Sequence, residues 1–332
     1  MDAVPPQETS LADYRAARDA VGVVDRSDVG VVEVTGRDRV KFLHALLSND
    51  IASLGAGQGC AATLLDVHGK VQVTLVVWML DDRVVLITPP GMAESTVAAL
   101  DHYLFAEKVV LEDATGARAL LLLVGPAADE TVKRLTGLIP ADIAWSHVAG
   151  SLDGIEARVV RGGAELGEPD VWLVVPAAER ERAWTAALGA GARPLDAAAL
   201  ESLRIEAGTP RFGADVDPSV LLPEIPLERL VSHTKGCYPG QEVVVRIRDR
   251  GHVNRHLRGL LLEGDAVPPP GAEVVAEGAV VGQVTSSTRS LGLGRPIALA
   301  FVRRQHAPGA RVAVRAGGAT LPATVSDLPF AR

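Results

Sequence analysis

The densest group of chemically capable residues is the stretch His233-Thr234-Lys235-Gly236-Cys237-Tyr238-Pro239-Gly240-Gln241-Glu242. Tyr-Pro-Gly-Gln has proline second and glycine third, which predicts a type II turn with a positive φ at Gly240. Such a turn would hold Cys237 at the start of a bend, two residues after Lys235. A nearby ammonium lowers the pKa of a thiol and raises its thiolate fraction. The stretch therefore predicts a reactive or ligand-contacting Cys237, against the alternative of an inert, buried thiol.

A basic segment begins at the same place. Residues 235–258 carry six basic and two acidic side chains, a net charge of +4, in a chain whose formal net charge is −8. Such a segment could meet phosphate groups, a polyglutamate tail or RNA. The alternative is a solvated strand edge whose charges oppose aggregation. Aromatic residues make up only 4% of the chain, so RNA, which stacks on aromatic side chains, is the least favoured of these ligands.

Metal and phosphate-loop motifs are weak. The only cysteines, Cys60 and Cys237, lie 177 positions apart, which argues against a disulfide framework and a cysteine-built zinc or iron–sulfur site. His252 and His256 have the spacing of a helical zinc pair, but the region reads as strand and offers no third ligand, so no metal site is predicted. Residues 55–59 (GAGQG) imitate a phosphate loop without its lysine, and we interpret them as a flexible turn.

Length and composition limit the class of protein. A chain of 332 residues with 48% apolar residues is long enough for about two domains with their own cores. Apolar runs such as residues 119–124 are far shorter than the ~20 residues of a membrane span. The N-terminal MDAVPPQETS has no apolar h-region, so we expect no signal peptide and a cytoplasmic protein.

Several elements can be predicted from periodicity and caps. Helices are expected where apolar residues recur every three to four positions, at residues 11–21 with a cap at Ser10, 38–49 with a cap at Asp38, 94–105, 129–135, 177–188 and 197–207 with a cap at Asp196. Residues 30–36 read as a strand, and residues 71–79 and 83–88 as a hairpin. Helices mixed with hairpins predict an α+β fold with antiparallel sheets.

The pattern changes near Gly251. Helical stripes vanish, and short β-rich runs punctuated by glycine and proline follow at residues 257–262, 273–275, 280–285, 297–302 and 311–314. This spacing is typical of a small β-barrel. We therefore divide the chain into an α+β domain, residues 1–250, and a C-terminal β-barrel domain, residues 251–332.

The cysteine-containing stretch also resembles a known signature. Residues 235–242, continuing through Arg246 and Arg250-Gly251, resemble the KGCYxGQE motif of the YgfZ-type folate-binding proteins, relatives of the glycine-cleavage T-protein, an aminomethyltransferase, and of mitochondrial iron–sulfur assembly factors. Less specific likenesses to the T-protein occur in the same order along nearly the whole chain, at residues 14–18, 24–27, 34–36, 203–208, 212–215, 282–286 and 293–300. The resemblance implies a folate-binding α+β portion of two lobes, closed by a β-barrel around a central ligand channel.

Two departures separate this chain from the T-protein branch. Val73 and Thr74 stand where T-proteins carry a paired aspartate, and neither side chain can take or give a proton as a general acid or base must. Leu200 stands where T-proteins usually have an arginine. Aminomethyl transfer is therefore disfavoured, and an enzymatic activity of that type is not expected.

The resemblance then implies a function and a site. It implies tetrahydrofolate or a related folate as cofactor, and a role supporting iron–sulfur enzymes or their assembly proteins and, through them, tRNA modification. Cys237 would be the functional thiol, and the folate would contact Lys235, Arg204, Glu206, Gln241, Arg246 and Arg248. Two alternatives remain open: folate-dependent aminomethyl or other one-carbon transfer, and a direct tRNA-binding module. Of these two, direct nucleic-acid binding is the less favoured, and no membrane association is expected.

Overall fold

The structure, a computed structural model, describes residues 11–226 and 228–331. Ser10 and its predicted cap lie outside these residues, as does the N-terminal segment on which the signal-peptide prediction rests. The described chain forms two α+β lobes followed by a closed barrel, which confirms the predicted fold class.

The first lobe is an antiparallel sheet with two helices on one face. After α1 (Leu11–Asp19) and β1 (Gly22–Asp25), its elements are β2 (Gly30–Thr35), α2 (Arg39–Leu46), β3 (Gln58–Leu65), β4 (Val71–Met79), β5 (Val84–Thr88), α3 (Ala93–Asp101) and β6 (Val110–Asp113). The strands pair in the order β3-β4-β5-β2-β6. Because side chains alternate along a strand, Val73 and Leu75 of β4 enter the core beneath the helices, whereas Trp78 faces the second lobe.

The second lobe repeats this arrangement. It contains β7 (Arg118–Val124), α4 (Ala128–Thr136), β8 (His147–Leu152), β9 (Ile155–Arg161), β10 (Asp170–Pro176), α5 (Arg180–Gly189), β11 (Arg193–Pro194) and α6 (Ala197–Glu206). The sheet order is β11-β1-β7-β10-β9-β8, antiparallel except for the short β1–β11 pair. Helices α4 and α5 cover one face, and the other face shares a core with the first lobe that includes Trp78, Trp145 and Trp172.

The last part of the chain is a helix and a six-stranded barrel. Helix α7 (Gln241–Arg250) is followed by β12 (Arg255–Leu262), β13 (Glu273–Ala276), β14 (Ala279–Ser290), β15 (Arg295–Arg303), β16 (Arg311–Ala316) and β17 (Ala319–Ser326). The barrel closes in the order β12-β15-β14-β13-β16-β17. The division between domains that we predict near Gly251 falls between α7 and β12 and stays a prediction.

Local differences from the sequence-based expectations have clear causes. The Asp196 carboxylate accepts the Ala199 N–H at 2.6 Å, so this predicted cap is confirmed. The Asp38 carboxylate makes no capping bond and instead accepts the Lys108 N–H at 2.7 Å. The turn predicted at residues 55–59 is present at residues 55–58, where the Gln58 N–H donates to the Gly55 carbonyl at 3.1 Å. Gln58 and Gly59 also begin β3, because their backbones pair with β4. Most of the basic segment before the barrel is helical, so the strand-edge interpretation is wrong for residues 241–250.

Candidate functional site

A cavity of about 310 Å³ lies between the two lobes. Its wall includes Thr74 and Trp78 from β4, Trp172 from β10, and Leu200 and Arg204 from α6. A volume of this size falls at the lower end of small-molecule sites, which are mostly apolar with a few polar groups. The shared core of the lobes therefore encloses a cavity large enough for a small-molecule ligand.

Three indole rings dominate the apolar wall. Trp78, Trp145 and Trp172 all line the cavity and are each about 95% buried or more. The ring nitrogens of Trp78 and Trp172 are buried without a hydrogen-bond partner among the described residues. An unpaired buried donor is unfavourable by about 1–3 kcal/mol, so an acceptor-bearing ligand that paired with either nitrogen after a small ring movement would be stabilised.

Trp145 is held in place by an uncommon backbone conformation. Its φ is +67°, which is rare for a bulky residue. Its N–H donates to the Arg161 carbonyl at 2.9 Å. A β-carbon on Gly163 would lie 2.7 Å from the Trp145 ring, and one on Gly59 would lie 2.8 Å from the Trp145 carbonyl oxygen. The indole therefore reaches the cavity only because these two neighbours lack side chains.

Glu165 is a carboxylate of the cavity wall that sequence reasoning missed. It sits in the loop between β9 and β10 and makes no hydrogen bond to another described residue. Burial raises its pKa, and Arg229 and Arg26 oppose that shift. The loop is held by Asp170, whose carboxylate accepts the Ala164 N–H at 2.9 Å and whose own pKa is raised by burial to about 7. Glu165 can therefore accept hydrogen bonds from a ligand in the cavity.

Arg204 lines the cavity, but its hydrogen-bonding capacity is used within the protein. Its guanidinium donates to Glu201 through two nitrogens, to Asp215 at 2.7 Å, to the Thr209 carbonyl and to Ser286. A guanidinium has five N–H groups, and these five contacts match that number. Arg204 is thus a fixed part of the wall. Arg26 and Arg211, which also line the cavity, have fewer partners.

Glu206 points away from the cavity into a network that joins α1, α6 and the barrel. Its carboxylate accepts hydrogen bonds from Tyr14 at 2.6 Å, Arg18 at 2.5 Å and Ser290 at 2.7 Å. These hydrogen bonds stabilise the buried carboxylate of Glu206 within the protein, without a ligand. The predicted contact of Glu206 with folate stays a prediction that this geometry does not favour.

Lys235 serves as a bridge between the motif and the first lobe. Its ammonium donates to the carbonyl oxygens of His44 and Leu47 at the C-terminal end of α2 and lies 5.1 Å from the centre of the Tyr238 ring. Lysine near a helix C-terminus is stabilised by unpaired carbonyls. Burial lowers its pKa to about 8. Lys235 is not part of the cavity wall.

The predicted turn after Cys237 is confirmed. Gly240 has φ +77° and ψ −5°, and the Gln241 N–H donates to the Tyr238 carbonyl at 3.2 Å. Cys237 is exposed and Gln241 begins α7.

Within the described residues no group of three or more His, Cys, Asp or Glu could hold a metal ion.

The remaining predicted folate contacts lie on α7, apart from the cavity. Arg248 forms an ion pair with Asp249 at 2.6 Å, and Arg246 lines a separate cleft. Of the six residues predicted to contact folate, the structure brings only Arg204 to the cavity wall. Thr74 also lines it, whereas Val73 is buried beneath α2 and α3. No helix among the described residues is long and apolar enough to cross a membrane.

Comparisons with known proteins agree with this architecture. Residues 5–235 match the family described as GCVT N-terminal domain, and residues 255–331 match the glycine cleavage T-protein C-terminal barrel domain. The crystal structure of glycine cleavage system aminomethyltransferase T from Bartonella henselae superimposes with a TM-score of 0.87 at 24% identity, covering 97% of this chain and 89% of that one.

Curated relatives extend over the same length. An aminomethyltransferase of Exiguobacterium sibiricum is 32% identical, covering 96% of this chain and 89% of its own. An aminomethyltransferase of Streptomyces avermitilis is 33% identical with the same coverage. The chain therefore belongs to the glycine-cleavage T-protein superfamily.

Proposed function

We propose that this protein binds a tetrahydrofolate in the cavity between its lobes and acts as a YgfZ-type folate-binding protein. In this role it supports iron–sulfur enzymes and, through them, tRNA modification, as the resemblance of its motif implies. The cytoplasmic location predicted from the sequence belongs to the same proposal. Membership of the T-protein superfamily makes folate the natural ligand to test.

The residues of the cavity fit a folate. The pterin is a flat ring system whose pyrimidine edge carries N–H donors, and three indoles with an unpaired carboxylate at Glu165 offer matching apolar surface and an acceptor. Arg26 and Arg211 are better placed for the glutamate tail than the predicted Lys235, since they line the cavity and arginine can bind carboxylates with two hydrogen bonds. Tetrahydrofolate supplies the capacity to carry one-carbon units.

The observation that carries the proposal against aminomethyl transfer is Thr74. The cavity-facing position of β4, where the resemblance places a T-protein aspartate, holds a hydroxyl. Threonine does not titrate in the range that general acid–base catalysis needs. The neighbouring Val73 is buried in the core of the first lobe. The chain therefore keeps the cavity while lacking this carboxylate.

The exposure of the Cys237 thiol supports the proposed role in iron–sulfur chemistry. An exposed thiol can exchange with a partner, whereas a cluster held permanently usually has four ligands. Cys60 and Cys237 together cannot supply them. Any contact of this protein with a cluster is thus transient or shared with a partner protein.

Aminomethyl transfer is the second candidate function, and the names of the relatives favour it. Proteins 32–33% identical over nearly the whole chain are named aminomethyltransferase. In that case Glu165 is a cavity carboxylate available for proton transfer, since burial raises its pKa.

Two measurements test the proposal. Titration with tetrahydrofolate should give saturable binding by calorimetry and quench tryptophan fluorescence, because three of the four tryptophans line the cavity. Absence of binding up to millimolar folate would contradict both candidate functions. Incubation with an aminomethylated lipoyl carrier protein should yield no methylene-tetrahydrofolate, and its detection would establish aminomethyl transfer instead.

The cellular role needs a separate test. Cells carrying only the Cys237→Ser variant should lose iron–sulfur enzyme activity while the purified variant keeps its fold and its folate affinity. Normal iron–sulfur enzyme activities in those cells would show that the thiol is structural and remove the YgfZ-type role.

A further inference from the structure

A second cleft, separate from the folate cavity, lies beside α7. It has a volume of about 500 Å³ and is lined by His68, Leu221, Val243, Ile247 and His252, together with Arg246, Arg250 and Gly251. Leu221, Val243 and Ile247 are its apolar members. The four remaining side chains are two arginines and two histidines, and the lining contains no acidic residue.

One wall of the cleft is the tight turn between β3 and β4. The Asp66 carboxylate accepts the N–H groups of His68 at 2.8 Å and Lys70 at 2.9 Å, which fixes the turn that carries His68. A β-carbon on Gly240 would lie 2.5 Å from the Asp66 carbonyl oxygen and 2.9 Å from the Cα of Gly69. The turn and the start of α7 therefore touch backbone to backbone, and His68 is held beside the helix.

The arginines of the basic segment differ in their pairing. Arg248, Arg255 and Arg258 form ion pairs with Asp249, Glu224 and Asp327. Arg246 and Arg250, the two that line the cleft, have no carboxylate within ion-pair distance among the described residues, and Arg250 interacts with Asp249 only through longer-range attraction. They lie one helical turn apart, where like charges repel. An anion in the cleft would relieve this repulsion.

We propose that this cleft binds the phosphate group of a small-molecule phosphate ester, with the ester's apolar body against Leu221, Val243 and Ile247. Two unpaired guanidiniums with two imidazoles are a donor set suited to phosphate. The volume is that of a small-molecule site. A single-stranded nucleic acid is a poorer occupant, because no phenylalanine, tyrosine or tryptophan lines the cleft for base stacking.

Phenyl phosphate is a suitable probe, followed by ³¹P line broadening and calorimetry on the full chain. Wild-type protein should bind it saturably and more tightly than inorganic phosphate, which lacks the apolar body. The double variant Arg246→Gln/Arg250→Gln should weaken binding by about tenfold or more. The control Arg303→Gln/Arg304→Gln removes the same charge from exposed barrel residues and should leave the affinity unchanged.

Four outcomes would overturn the proposal. The first is that phenyl phosphate at millimolar concentration shows no saturable binding. The second is that both double variants weaken phenyl phosphate binding equally, and the third is that a penta-glutamate peptide binds the cleft as tightly as phenyl phosphate. The fourth is an oligoribonucleotide that binds where phenyl phosphate does not. His68→Gln offers a second variant on a different element and should also weaken phenyl phosphate binding. Tetrahydrofolate titration of the same variants reports separately on the cavity, so failure of one site is distinguishable from failure of the other.

Discussion

The ammonium of Lys235 lies 2.5 Å from the carbonyl oxygen of Leu47, 188 residues earlier in the chain. The same ammonium donates to the His44 carbonyl. The segment around it is attached to the same place: the Ser48 hydroxyl donates to the Leu230 carbonyl and the Ser232 N–H donates to the Ser48 carbonyl. The motif lysine thus joins the loop that carries Cys237 to the end of α2.

Lys235→Met should lower the free energy of unfolding by about 2 kcal/mol or more, because it leaves two carbonyl oxygens without their charged donor. Chemical denaturation measures this difference. Lys235→Arg keeps a donor and should recover part of the loss. A methionine variant as stable as wild type would show that these contacts do not contribute.

Gly240→Ala should be destabilising by about 1–3 kcal/mol, since Gly240 has a positive φ and its β-carbon would meet the Asp66 carbonyl oxygen at 2.5 Å. Gly236 lies in the same motif, has no neighbour within 4 Å of a β-carbon and has no positive φ. Gly236→Ala is therefore the matched control and should change stability by less than about 0.5 kcal/mol. Equal effects of the two substitutions on the denaturation midpoint would contradict this account.

The two cysteines should differ in reactivity. Iodoacetamide at pH 8 should modify exposed Cys237 in the native protein and leave Cys60 intact, because burial raises the pKa of the Cys60 thiol to about 12 and only the thiolate reacts. Peptide mass spectrometry identifies the modified residue. Both cysteines should react in denaturant, and native labelling of Cys60 at a comparable rate would disprove the difference.

His147 should make the protein sensitive to acid. Its imidazole Nδ1 lies 2.8 Å from the Arg158 guanidinium, and burial together with Arg158 lowers the pKa of His147 to about 4. Between pH 6.5 and 4 the unfolded chain binds the proton and the folded chain does not, so stability falls as the pH drops through this window, by at most about 1.4 kcal/mol per pH unit. His147→Gln should reduce this slope in denaturation curves, and His102→Gln, at an exposed position, should leave it unchanged.

Glu165→Gln should weaken tetrahydrofolate binding by about tenfold, because an amide NH₂ group, which cannot accept a hydrogen bond, replaces one oxygen of the carboxyl group in the cavity wall. Calorimetry measures the affinity. Glu156→Gln removes an exposed carboxylate that pairs with Arg118 and serves as the control. If both variants bind folate like the wild type, Glu165 does not contact the ligand.

Features set by neighbouring residues could be read from the sequence. The turn at Tyr238–Gln241, the cap at Asp196 and the hairpin of β4 and β5 depend on backbone preferences within a few positions, and the short strands after residue 250 predicted the barrel. The strand β17 was missed, although Gly317-Gly318 before it is a hairpin signal.

Contacts between distant segments were decided only by the tertiary structure. The sequence marked Lys235 and Arg204 as charged residues near a ligand. It could not show that two carbonyls at the end of α2 occupy the Lys235 ammonium, or that Glu201, Thr209, Asp215 and Ser286 accept five hydrogen bonds from Arg204. Nor could it bring Glu165, Trp78 and Trp172 to one cavity, since Trp78 lies in the first lobe and the other two in the second, and the three line one cavity only when the lobes pack. The sequence by itself thus determined the fold class and the motif, and packing decided which side chains remain free to meet a ligand.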